Sequence, residues 1–126
     1  MSLAVDPQSR PDPGPVLTKA LVRALDLWGV SGREAAPVLG VSEATLSRLK
    51  RAGQGLEPGT KPFELAALTV RAWRALDAIS GGDGPTARAW LRGANDALGG
   101  IPLDRMRTVQ GLVDVATYLD ARRATL

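Results

Sequence analysis

A series of apolar residues at helical spacing, interrupted repeatedly by glycine and proline, runs along most of the chain. Leu17, Leu21, Leu25 and Trp28 lie about one turn apart and would form one face of a helix that ends at Gly29. Similar stripes recur to the end of the chain, and no segment alternates between apolar and polar residues as a strand does. The sequence therefore predicts an all-α protein.

Capping residues and breakers set the expected helix boundaries. Ser31 begins a second helix as its N-cap, Glu34 completes a capping box, and Gly40 ends that helix. Ser42 caps a short third helix, and a long fourth helix starts near Pro62. The other expected elements are a loop marked by Gly53, Gly55, Pro58 and Gly59, and helices over 85–92, 103–107 and 108 to about 123.

Composition divides the chain into three parts. Residues 1–15 contain four prolines and little apolar area, which predicts a flexible or extended leader and no helix. The Gly-Gly-Asp-Gly run at 81–84 is the clearest break, so the expected domains are 16–80 and 85–126. A chain of 126 residues suits one compact domain or two small helical units that share a core.

Missing residue types narrow the possible functions. The chain has no His and no Cys, so it lacks the commonest general base and the ligands of zinc sites, and we expect no enzyme, metal or cofactor. Without cysteine there is no disulfide, which fits a cytoplasmic protein. No apolar run is long enough to span a membrane, and the start does not resemble a signal peptide. The net charge of +3 alone does not indicate nucleic acid.

Residues 32–51 carry the spacing of a helix-turn-helix. Ala36 is the small residue needed where the two helices cross, and Gly40, four residues later, suits the tight turn. The residues expected to bury the second helix against the first are Val41, Leu46 and Leu49. This pattern resembles the Xre/Cro-type fold, with Pro37 inside the first helix as a departure from it.

The second helix of such a motif faces the DNA major groove at its start. The candidate DNA contacts are therefore Ser42, Glu43, Ala44, Thr45, Ser47, Arg48, Lys50 and Arg51. Arg48 can bind a guanine through two hydrogen bonds, and the three cations can anchor phosphates. The alternative is that these cations only solvate the helix end, where the helix dipole favours positive charge.

A second pattern lies in the last third of the chain. Trp90-Leu91, Asn95, Leu98, Gly100, Pro102-Leu103 and Gly111 follow one another in an order that resembles the C-terminal domain of MbcA, ParS and Xre-type antitoxins. Each residue also has a structural explanation: Trp90 as a core aromatic, Asn95 in a turn, and Gly111 at a close helix approach. The last helix is expected to bury Val109, Leu112, Val113, Ala116 and Leu119.

The resemblance implies an antitoxin that inhibits a RES-domain toxin, which attacks NAD or uses it to ADP-ribosylate a target. In such a pair the C-terminal helix and tail block the NAD site of the toxin, and the antitoxin dimerises and represses its own operon. The implied toxin contacts are Trp90, Asn95, Tyr118, Arg122, Arg123 and Leu126. Alternatively, the two arginines only stabilise the last helix, by placing positive charge at the negative end of its dipole. A different class of function also fits the sequence, a stand-alone transcription regulator with a C-terminal dimerisation module.

Overall fold

The computed structural model describes residues 12–52 and 55–126, which form seven α-helices and one 3-10 turn. The helices are α1 (Pro13–Trp28), α2 (Gly32–Leu39), α3 (Glu43–Ala52), α4 (Lys61–Ile79), α5 (Gly84–Arg92), α6 (Pro102–Arg105) and α7 (Val109–Arg123), and the 3-10 turn spans Asp96–Leu98. Within these ranges there is no strand, so the all-α prediction is confirmed. No helix in the described part is long and apolar enough to cross a membrane.

The helix ends follow the capping residues of the sequence. The Ser31 hydroxyl accepts a hydrogen bond from the Glu34 backbone N–H at 3.1 Å, and the Glu34 carboxylate accepts one from the Ser31 N–H at 3.1 Å. Gly29 and Gly40 end α1 and α2 in the left-handed region, with φ of 64° and 66°. These predicted boundaries are confirmed, whereas the helix expected over 103–107 is displaced to α6 by one to two residues.

The start of α1 lies inside the segment predicted as a leader. Residues 13–15 form the first turn of α1, and the Asp12 carboxylate caps it by accepting a hydrogen bond from the Gly14 N–H at 3.0 Å. The prediction for 1–15 is therefore wrong at this end. Prolines are compatible with a first helical turn because N–H groups there have no partner within the helix. The rest of the predicted leader, 1–11, lies outside the described residues.

One hydrophobic core extends from α1 to α7. Helix α4 packs against both α1 and α7, so it contacts helices from both halves of the chain. Trp28, Leu76 and Leu119, one from each of these helices, are at most 2% exposed. The turn at Gly81 and Gly82 therefore separates two groups of helices that share a single core.

Helix α7 buries a different stripe from the predicted one. Val109 and Val113 were expected in the core but are 56% and 38% exposed, whereas Gly111 and Val115 are buried. The buried arc contains Leu119, and at 3.6 residues per turn Val109 and Val113 lie about 80° and 120° from it around the helix axis. The prediction for these two valines is wrong because an apolar residue at the edge of a stripe need not face the core.

The loop between α3 and α4 is fixed to α1 by a buried threonine. The Thr18 hydroxyl donates to the Gly14 carbonyl at 2.8 Å and accepts from the Leu56 N–H at 2.9 Å. Since Thr18 is 4% exposed, these bonds hold the loop against the beginning of α1 without competition from water. The predicted loop is confirmed at Gly55, Pro58 and Gly59, and Gly53 lies outside the described residues.

Candidate functional site

Helices α2 and α3 form the helix-turn-helix with the expected internal packing. Ala36 is 4% exposed and Leu46 is 1% exposed, while Val41 and Leu49 are half-buried beside the core. Pro37 is the sixth residue of α2 and is solvent-exposed. The helix continues through it, and it lacks one backbone hydrogen bond there because proline has no N–H. The departure noted in the sequence therefore leaves the motif intact.

The outer face of α3 carries the predicted DNA contacts. Ser42, Glu43, Ala44, Ser47, Arg48, Lys50 and Arg51 are exposed, and Thr45 is half-buried. In the part of the chain that the structure describes, the three cations of this set form no salt bridge. Since all three side chains are exposed, an anionic partner can reach them. Glu43 is acidic, but in the first turn of α3 it also stabilises the positive end of the helix dipole.

A chain of hydrogen bonds orders the start of α3. The Ser42 hydroxyl accepts from the Thr45 N–H at 3.1 Å and donates to the Thr45 hydroxyl at 2.9 Å. The Arg48 guanidinium donates to the same Thr45 oxygen at 3.1 Å. Arg48 is thereby held over the N-terminal turn, the part of such a helix that meets the bases.

In the C-terminal module, three of the implied toxin contacts form one cluster. The Trp90 and Tyr118 rings stack with centroids 6.1 Å apart and planes 20° apart, which joins α5 to α7. The Arg122 guanidinium lies 5.8 Å from the centroid of the Tyr118 ring. Both rings are half-buried beside the core, so part of each remains accessible. We call Trp90, Tyr118 and Arg122 the aromatic cluster.

A groove of about 310 Å³ lies beside Tyr118. Its lining consists of Ala97, Leu98, Asp114, Thr117 and Tyr118. Asn95 holds the backbone of the lining residue Leu98, because its side-chain oxygen accepts a hydrogen bond from the Leu98 N–H at 3.2 Å. Its backbone also pairs with Gly100. Asn95 thus has the turn role expected of it, next to the groove.

The remaining two implied toxin contacts lie elsewhere. Arg123 lines a separate open groove between α1, α4 and α7, together with Arg74 and the ion pair formed by Arg71 and Asp120. Leu126 is 76% exposed beyond the end of α7. The structure therefore places Arg122 beside Tyr118 and Arg123 in a different groove.

Sequence reasoning missed two arginines of α5 that join the C-terminal module to the N-terminal helices α1 and α2. Arg88 and Arg92, one turn apart on α5, donate to the carbonyl oxygens of Leu27 and Gly29 at 3.1 and 3.0 Å. These carbonyls belong to the end of α1, where cations are favoured. The spacing of the two arginines was visible in the sequence, but their partners are about sixty residues away and gave no signal.

Arg92 also forms a two-point ion pair with Glu34 of the capping box, at 2.7 and 3.2 Å. This pair and the hydrogen bond from the Ser31 N–H lower the pKa of Glu34 from 4.5 to about 2. The same carboxylate therefore caps α2 and holds α5. Within the described ranges, no group of acidic, His or Cys residues could hold a metal ion.

Comparison with known families accounts for both halves of the chain. The family model for the antitoxin Xre-like helix-turn-helix domain matches residues 7–71, just over half of the sequence. The model for the antitoxin Xre/MbcA/ParS C-terminal toxin-binding domain matches residues 75–124, which include the aromatic cluster. A search of curated proteins found no match. The chain belongs to the Xre/MbcA/ParS family of antitoxins, with a helix-turn-helix domain followed by a toxin-binding domain.

Proposed function

We propose that this antitoxin binds and inhibits a RES-domain toxin by covering the NAD site of the toxin with α7 and the residues after it. The observation that carries the proposal is the match of residues 75–124 to a toxin-binding domain, within which the aromatic cluster lies at an accessible surface. Partly exposed Trp, Tyr and Arg side chains are the types that contribute most to protein–protein binding. The proposed contact is centred on Tyr118.

The path of α7 supports a contact that continues into the tail. The Arg122 guanidinium lies against the Tyr118 ring, and the chain beyond Arg123 is exposed as far as Leu126. A toxin site built for the pyrophosphate of NAD would accept Arg122 only beside toxin carboxylates, because like charges repel and unpaired buried charges are costly. We therefore propose that acidic toxin residues at the rim of the NAD site pair with this arginine.

Shortening the tail tests this mechanism, and the structure fixes where to cut. Leu119 is 1% exposed and Asp120 pairs with Arg71, so a chain ending at Ala121 keeps the core and this ion pair. The truncated chain should remain folded by circular dichroism but fail to stop NAD consumption by a purified RES-domain toxin from the same genome. Full inhibition by the truncated chain would overturn the tail mechanism.

We also propose that the antitoxin represses its own operon as a homodimer, with α3 in the major groove. Two-fold symmetry would place two copies of α3 on two half-sites, which a single short helix needs for useful specificity. Arg48, Lys50 and Arg51 would contact bases and phosphates. Replacing Arg48 and Arg51 by Gln should abolish binding to the promoter duplex and leave toxin inhibition unchanged.

The same double variant separates the antitoxin from a stand-alone regulator. If the protein acts only on DNA, the variant loses all function and no stoichiometric protein partner exists. If it acts on a toxin, cells carrying the variant survive toxin expression. The proposed dimer is tested by light scattering of the full chain, where a monomer at micromolar concentration would contradict it.

A further inference from the structure

A second basic surface lies beside the DNA-binding face of α3, on α1. An open groove of about 570 Å³ runs between α1 and the end of α3. Its lining residues are Pro15, Thr18, Lys19, Val22, Arg23, Asp26, Leu27 and Lys50. Lys50 belongs at once to this groove and to the set of cations on α3, so the two surfaces are continuous. We call this surface the α1 groove.

The α1 groove is positively charged, and its cations are exposed. Lys19, Arg23 and Lys50 face a single acidic lining residue, Asp26. Lys19 and Arg23 are four residues apart and therefore lie on the same side of α1. Both are exposed, and neither forms a salt bridge in the described part of the chain. Like charges four residues apart on a helix repel each other slightly, so this spacing of Lys19 and Arg23 does not itself stabilise α1.

We infer that the α1 groove binds the sugar–phosphate backbone of the DNA duplex whose bases meet α3. The inference rests on the proposed binding of operator DNA and extends it to residues outside the helix-turn-helix. Lys19 and Arg23 neutralise phosphates, and the apolar side chains of Val22 and Leu27 contact the deoxyribose. Phosphate contacts of this kind fix the register of a protein on the duplex without reading sequence.

Salt dependence distinguishes phosphate contacts from other effects. Each neutralised phosphate adds about 0.9 to the slope of log affinity against log salt. Replacing both Lys19 and Arg23 by Gln should therefore lower the slope by about 1.8. Between about 50 and 200 mM salt, the wild-type affinity should fall roughly 12-fold more than that of the variant. Fluorescence anisotropy with a labelled promoter duplex and with a random duplex of equal length measures both slopes.

Two control variants distinguish the effect of charges in the α1 groove from the effect of net charge. Lys61→Gln with Arg74→Gln removes two exposed positive charges on α4, which contributes nothing to the α1 groove, and should leave the slope close to the wild-type value. Lys19→Arg with Arg23→Lys keeps both charges in the groove and should do the same. Because phosphates carry no sequence information, the reduced slope should appear on both duplexes.

Each outcome decides between defined alternatives. If the wild-type protein binds neither duplex, the proposed DNA binding fails. If it binds the promoter duplex and the Lys19/Arg23 variant keeps the wild-type slope, the α1 groove makes no phosphate contact and the inference is overturned. If the variant binds DNA normally but loses affinity for the toxin, the groove serves an acidic protein surface instead, which also overturns it.

Discussion

Gly111 offers the sharpest test of how α7 is positioned. It is the third residue of α7, and a Cβ built there would lie 1.8 Å from the Arg105 carbonyl oxygen and 2.6 Å from its carbonyl carbon. Since real Cβ atoms keep at least 3.0 Å from such neighbours, Gly111→Ala must separate α7 from the end of α6 by about 1.2 Å. The obstacle is backbone, so no side-chain rotation can relieve it.

Two opposing effects set the change in the free energy of unfolding caused by Gly111→Ala. Alanine in place of a helical glycine stabilises a protein by about 0.5–1 kcal/mol. Forcing the backbones apart costs about 1–3 kcal/mol or more, because packing at the junction of α6 and α7 is lost. Because the clash is with backbone, we take the upper end of this cost, about 3 kcal/mol, and subtract a gain of about 1 kcal/mol. The net loss of about 2 kcal/mol lowers Tm by roughly 6–12 °C for a domain of this size. Thermal unfolding followed by circular dichroism measures it.

Gly32→Ala is the matched control. Gly32 begins α2, and an added Cβ would have only the Leu46 side chain near it, at 4.0 Å. This variant should be within about 0.5 kcal/mol of wild type or slightly more stable. If Gly111→Ala is as stable as Gly32→Ala, α6 and α7 do not approach each other this closely.

Two further predictions concern the core and the join between the two halves. Trp28 is 1% exposed, so Trp28→Ala should lower the free energy of unfolding in urea by about 3–5 kcal/mol. Trp28→Phe should cost less, because it keeps apolar contacts and removes an indole N–H that has no partner in the described chain. Equal losses for the two variants would contradict this. Because the pKa of Glu34 is lowered from 4.5 to about 2 in the folded protein, its stabilisation is complete above pH 4.5 and disappears as the pH falls through 2. The stability difference between wild type and Glu34→Gln, about 0.5–1 kcal/mol for such an exposed pair, should be constant near neutral pH and shrink below pH 4.5, and a difference independent of pH would contradict the ion pair with Arg92.

Local signals in the sequence predicted most of the fold. Caps such as Ser31 with Glu34, and helix-ending glycines such as Gly40, act within a few residues of themselves, so their effect can be seen before the fold is known. The wrong prediction at residues 13–15 also came from reading a local signal, the prolines. Prolines are helix breakers in general, and only the position of Asp12 as the N-cap makes them first-turn residues.

Long-range contacts were not predictable from one sequence. The valines at 109 and 113 match a helical stripe, but the orientation of α7 is set by α4 and α6, which the stripe does not reveal. The pairing of Arg92 with Glu34 joins residues far apart in the chain, and Glu34 already had a local role as a capping residue. The stacking of Trp90 on Tyr118 likewise depends on the relative position of two helices.

Purification from the native host is the decisive experiment for the proposed inhibition of an NAD-consuming toxin. A tagged chain is isolated, its partner is separated under mild denaturant and refolded, and NAD consumption is measured with and without the antitoxin added back. We expect one stoichiometric partner that consumes NAD when it is alone and stops doing so when the full chain is added back. Recovery of the chain alone, or only with DNA, would contradict it and favour a transcription regulator.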